Sequence, residues 1–120
     1  MNLGRLIEEL EKQRQDAWVL IDRSPVSLAP AGVDSYRGYY EQLAIACEPS
    51  RNTSPKVSDL LAVLRDAIGK KFTGYKGGDY TMHEGTIMWL GNYGESGGSR
   101  VTGVRKTDYG IVYLTWDSDE

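Results

Sequence analysis

The stretch RVTGVRKTDYGIVYLTW, residues 100–116, decides the fold class. Residues 100–106 and 110–116 are rich in Val, Ile, Thr, Tyr and Trp, which suit a pleated surface, and the Asp- and Gly-containing segment between them suits a turn. The pair reads as two adjacent strands. Residues 86–92 read as a third, and 11 of the 14 glycines lie after Ile68, so the second half of the chain is expected to be turns and strands.

Towards the N-terminus the periodicity changes. Leu3, Leu6, Ile7 and Leu10 fall at helical spacing, which predicts an amphipathic helix over residues 2–15. Residues 17–21 form a short apolar run that suits a central strand buried on both faces. Pro25 and Pro30 enclose residues 26–29, which read as a surface loop. Residues 39–47 alternate as a second strand, with a helix as the alternative, and residues 49–56 are a polar loop. Ser58 then caps a helix with Asp59 in its first turn and Leu60, Leu61, Leu64 and Ile68 on its apolar face, stopped by Gly69. No internal repeat is visible. The sum is an α+β chain: an antiparallel sheet of about five strands with two helices over one face. The other face, with its supply of Tyr and Trp, suits a contact between subunits, so an oligomer is expected.

The 120 residues suit one domain spanning 1–120, with 40% hydrophobic and 26% charged residues, a globular composition. No apolar run reaches the length of a membrane span and no signal peptide is visible, which predicts a cytoplasmic protein. One cysteine, Cys47, and one histidine, His83, exclude an internal disulfide and argue against a metal site. A net charge of −3 argues against a nucleic acid polymer as partner. His83, in an expected turn, reads as a solvated loop residue rather than a general base, and Cys47 as a small buried hydrophobe.

Four clusters could carry binding. In residues 72–80, Gly74, Gly77 and Gly78 could let backbone amides converge on a phosphate, with Lys76 for charge and Tyr75 for stacking; a plain hairpin turn with Lys76 in water fits as well. The spacing is not that of a phosphate-binding Walker loop. In residues 89–95, Asn92 and Tyr93 follow a strand into a Gly-rich loop, where an Asn amide could pair with sugar or base edges. Arg105 could grip a pyrophosphate while Asp108 accepts from ribose hydroxyls, beside Arg100 and Lys106. Residues 36–40 place Arg37 beside Tyr39 and its neighbouring tyrosines. Together these groups suit an anionic, aromatic small molecule bound without obvious chemistry.

The run Ser35, Tyr36, Arg37, Gly38, Tyr39, Tyr40, followed by Leu43, Ala44 and Ile45, then residues 72–78, then Trp89, Asn92, Tyr93 and Gly94, resembles the phage Thoeris anti-defence proteins of the first type. These are sponges that sequester cyclic ADP-ribose signals made by a TIR-domain defence enzyme. The resemblance implies no turnover, no cofactor, and a homo-oligomer built from two-fold dimers, a dimer or a trimer of dimers, in the cytoplasm of an infected host cell. The signal pocket would lie near a subunit boundary, and some members hold cyclic oligonucleotides at a separate site. It further implies that Asn92 contacts ribose or base, that Arg105 contacts the pyrophosphate, and that Met82 stands as apolar wall where an aromatic ring is expected. A small inhibitor acting by protein contact and a nucleotide-cleaving enzyme are the competing readings.

Overall fold

A computed structural model of the chain describes residues 1–23, 26–36, 41–49, 54–74, 76–91 and 99–118. Helix α1 (Leu3–Glu11) buries Leu3, Leu6, Ile7 and Leu10, and the Asn2 side chain accepts the backbone N–H of Arg5 at 2.8 Å. The helix ends four residues short of the expected boundary, because Gln13 to Asp16 offers no apolar side chain to bury. Strand β1 (Trp18–Arg23) follows. It is not buried on both faces: Val19 and Ile21 point inward, whereas Trp18 is 45% exposed.

The expected surface loop over residues 26–29 is instead the start of β2 (Val26–Ser35), a ten-residue strand. Pro30 is tolerated because the register with β3 (Leu43–Pro49) shifts between Pro30 and Gly32, and a bulge absorbs a residue that cannot donate to the ladder. In β3, Leu43, Ile45 and Cys47 face inward, as the alternation predicted. Tyr39 and Tyr40, the expected start of that strand, lie outside the described residues.

Helix α2 (Val57–Ala67) buries Leu60, Leu61 and Leu64 as its spacing predicted. Lys56, not Ser58, occupies the capping position, and the Asp59 carboxylate accepts the Lys56 backbone N–H at 3.0 Å. The chain turns away at Gly69, whose φ of +80° favours glycine. Ile68 is consequently left exposed. A small hairpin follows, β4 (Lys71–Thr73) with β5 (Asp79–Thr81), and then β6 (Met88–Leu90), β7 (Ser99–Lys106) and β8 (Ile111–Ser118).

Six strands close into a barrel in the order β1-β2-β3-β6-β7-β8. The chain is α+β with two helices and a mostly antiparallel sheet, as expected, but the sheet has six strands rather than about five and closes on itself. Two seams are parallel, β3 with β6 and β8 with β1, and closure leaves the barrel without an open edge strand. Both seams join strands far apart in sequence, beyond the reach of local periodicity. The interior holds Val19, Ile21, Leu43, Ile45, Met88, Leu90, Val101, Val112 and Leu114, and the apolar faces of α1 and α2 belong to the same core cluster.

The topology repeats although the sequence does not. A helix and a three-stranded antiparallel meander, α1-β1-β2-β3, are followed by α2 and a second such meander, β6-β7-β8, with the β4–β5 hairpin inserted. Each helix start is bonded to the approach of the other unit's first strand: Leu3 N–H donates to the Thr86 carbonyl at 2.7 Å, and Val57 N–H to that of Ala17 at 2.9 Å. Each middle strand bulges at a glycine, Gly32 or Gly103. Among the described residues no helix is long and apolar enough to cross a membrane.

Leu64 is fully buried in α2 while the adjacent Val63 is 38% exposed. Leu64→Ala should lower the unfolding free energy by about 2–5 kcal/mol in urea titrations, and Val63→Ala by no more than about 0.5 kcal/mol.

Candidate functional site

The outer face of the β3–β6 seam carries the most organised cluster. Ala44 on β3 lies opposite Trp89 on β6, and both side chains point out of the barrel, since their neighbours Leu43, Ile45, Met88 and Leu90 fill it. Tyr36, just beyond β2, is held by its backbone N–H on the Gln42 carbonyl at 2.8 Å. Its ring stacks on Trp89 with centroids 4.4 Å apart and planes 1° from parallel. Ala44, the register partner of Trp89, adds no more than a methyl group to this face. From the other side β7 places the Arg100 guanidinium 5.1 Å from the Trp89 ring, and the indole N–H of Trp89 donates to the Gln42 side-chain carbonyl. Thus Trp89 is 1% exposed although it faces outward.

Two expected clusters meet here. Tyr36 leads into residues 37–40, and Trp89 leads through Gly91 into residues 92–98, after which the chain returns at Ser99 and Arg100. Gly91 suits the close approach here: its N–H donates to the Ile45 carbonyl at 2.7 Å, and a Cβ there would sit 3.3 Å from that oxygen, a tight contact. Arg37, Tyr39, Asn92 and Tyr93 themselves lie outside the described residues.

Arg105 is elsewhere. The β7 bulge shifts the alternation, so that Arg100 and Arg105 are both exposed on the outer surface while Val101 is buried. Five residues of strand at roughly 3.3 Å each separate them by up to about 16 Å. The Arg105 guanidinium lies 4.7 Å from the Tyr113 ring and 4.0 Å from the Asp22 carboxylate. Both residues were missed in the sequence: Tyr113 is the register partner of Arg105 across the β7–β8 hairpin, and Asp22 comes from β1 across the β8–β1 seam, which is not local.

Asp108 is in the β7–β8 turn and lines a cavity of about 190 Å³ with Gln13, Arg14, Lys106 and Thr107. That volume is below the usual range for an organic ligand of drug size. Arg14 there is engaged by Asp16 through two hydrogen bonds of 3.1 and 3.2 Å. Its guanidinium holds the Asp16 carboxyl below the usual carboxylate range, so this pair persists at neutral pH and is lost as pH falls through the lowered value.

The Gly-rich stretch is the hairpin turn between β4 and β5. Gly74 N–H donates to the Gly78 carbonyl at 3.0 Å and Gly77 N–H to that of Gly74 at 2.9 Å, so these amides serve the turn and do not converge on an anion. Gly77 and Gly78 have φ of +91° and +87°. Lys76 is exposed at the turn, and Tyr75 lies outside the described residues. Met82 is fully buried within the core. His83 is an exposed turn residue whose Nδ1 accepts the Gly85 N–H at 3.0 Å, and Cys47 is buried. Among the described residues no group of three His, Cys, Asp or Glu side chains is placed to hold a metal ion.

Ala44→Leu should part the Tyr36 and Trp89 rings. The expected result is a loss of near-ultraviolet circular dichroism and about 1–3 kcal/mol of stability, whereas Ala46→Leu, at an exposed position on the same strand, keeps the spectrum.

Compared with known proteins, the chain matches no family model, no curated protein and no solved structure.

Proposed function

We propose that the protein sequesters a cyclic ADP-ribose-type signalling nucleotide and releases it unaltered, as an anti-defence sponge working as a homo-oligomer in the cytoplasm of an infected cell. The observation that carries this reading is the stack of Tyr36 on Trp89. It draws together two of the segments on which the resemblance rests, which are more than 50 residues apart in the chain. Arg100 lies beside that stack, and the sequence also supplies Arg37, Tyr39, Asn92 and Tyr93, which lie outside the described residues; guanidinium, ring and amide groups of this kind recognise phosphates, bases and sugars.

Storage without turnover asks little chemistry of the chain and much affinity. A sponge that outcompetes an immune effector needs nanomolar binding, about 12 kcal/mol. Stacked rings and seated cations that are already ordered lose little freedom when the ligand arrives, which favours such affinity. Burial of Cys47 and the use of His83 Nδ1 within a turn leave neither poised as a nucleophile or base, in keeping with binding rather than cleavage.

The test is to saturate the protein with a cyclic ADP-ribose isomer, remove free ligand, denature, and chromatograph the supernatant. Intact nucleotide in stoichiometric amount is expected; new products would mean an enzyme, and no retained nucleotide would leave inhibition by protein contact. The Arg105 side chain, 56% exposed, is accessible to a phosphate. Because Arg105 stands beside Tyr113 and Asp22 and away from the stack, Arg105→Ala should leave the ligand's dissociation rate within about twofold, and a rise of about tenfold would place the pyrophosphate at the β8–β1 seam instead.

A further inference from the structure

We infer that the cavity at the end of the barrel, between the α1–β1 connection and the β7–β8 turn, binds a small zwitterion, an α-amino acid, by its carboxylate on Lys106 and Arg14 and by its ammonium on Asp108. A charged residue stands on the inner side of the wall here. Lys106 is the register partner of Val112, whose side chain is buried, and partners across an antiparallel pair share a face, so Lys106 lies at the barrel mouth on the interior side. Arg105, one residue earlier, is paired with Tyr113 and faces outward. Lys106 and Asp108 line the same cavity of about 190 Å³. Among the described residues neither has a hydrogen-bond or ion-pair partner, and they do not pair with each other.

The turns that carry these groups are fixed by their own bonds. Thr107 Oγ1 donates to the Ile111 carbonyl at 2.7 Å and accepts the Tyr109 N–H at 3.3 Å, so this hydroxyl shapes the turn. Trp18 N–H donates to the Gly110 carbonyl at 2.9 Å and Ala17 N–H to that of Arg14 at 3.2 Å, which ties the α1–β1 connection to the opposite wall. A backbone already ordered lowers the cost of binding. Arg14 gives two hydrogen bonds to Asp16 and keeps its other N–H groups for a ligand. Arg14 and Lys106 balance Asp16 and Asp108, so the mouth is neutral but separated in charge. An anion alone meets Asp108 and an ammonium alone meets Lys106, whereas a zwitterion answers both. The volume suits glycine, alanine or serine, with Ala17 and Val112 as apolar wall, and mouths of barrels are common ligand sites. The cavity shares no residue with the Trp89 cluster and does not rest on nucleotide binding.

Nuclear magnetic resonance on the full chain tests this, following the backbone amides of Thr107, Asp108 and Gly110 during titration with serine, with acetate and with methylammonium. Serine should saturate the shifts at a concentration about tenfold or more below that needed by either half-ligand, each of which satisfies one charge only. Asp108→Asn should weaken serine about tenfold without weakening acetate, and Lys106→Gln should weaken serine and acetate alike without weakening methylammonium. Both side chains are exposed, so neither substitution should move the thermal midpoint. The assignment is overturned by an absence of saturable shifts at millimolar serine, by acetate saturating as readily as serine, which marks a plain anion site, or by serine binding that neither substitution changes.

Discussion

Closure of the barrel through its two parallel seams is the constraint on which the rest depends. Without the β3–β6 seam, Ala44 and Trp89 are not neighbours, and Tyr36 has no ring to lie on. Without the β8–β1 seam, Asp22 and Arg105 do not meet. Each seam is also tied by backbone bonds from the start of a helix, so that the helices do more than cover apolar surface: they fix where the first strand of the opposite meander begins. The core follows from this geometry, since one closed wall and two amphipathic helices share a single cluster of buried side chains.

Closure also explains why a large aromatic residue is buried on the outside of the barrel. An outward Trp on an open sheet would be half in water. Here a small residue on one neighbouring strand and an arginine on the other let Trp89 be enclosed by Tyr36, Ala44 and Arg100. Such a cluster is stiff, with a hydrogen bond at the indole nitrogen and parallel rings, and stiffness is what a binding site needs if it is to hold a ligand for long. The β4–β5 hairpin, in contrast, uses its own amides to make a turn.

Local patterns carried the parts of this fold that are local. The helical spacing of Leu60, Leu61 and Leu64, the turn at Gly69, the alternation of Leu43, Ile45 and Cys47, and the two strands around the Asp108 turn were all legible. The run over residues 26–35 was not, because Pro30 argues against a strand until the bulge beside it is known. Nor was the barrel, since pairing Ile45 with Leu90 or Leu20 with Tyr113 leaves no mark in a window of a dozen residues. At the site, Tyr36, Trp89 and Arg100 each drew notice as members of separate clusters, but Gln42 and Ala44 carry no chemical signal of their own and gain their roles only from register. Met82 shows the opposite error: an apolar residue assigned to a pocket wall that the core has enclosed.

The central claim is that the nucleotide is received at the β3–β6 seam, beside Trp89. The chain has three tryptophans: Trp89 bonded to Gln42, Trp116 bonded to the Asp22 carbonyl at 3.0 Å, and Trp18, exposed on β1. Their indole N–H signals can be followed separately by nuclear magnetic resonance, with Trp89→Phe giving the assignment. On saturation with a cyclic ADP-ribose isomer, the account predicts a shift of the Trp89 signal while that of Trp18 stays in place. A stationary Trp89 signal in a protein that has bound the nucleotide would contradict it.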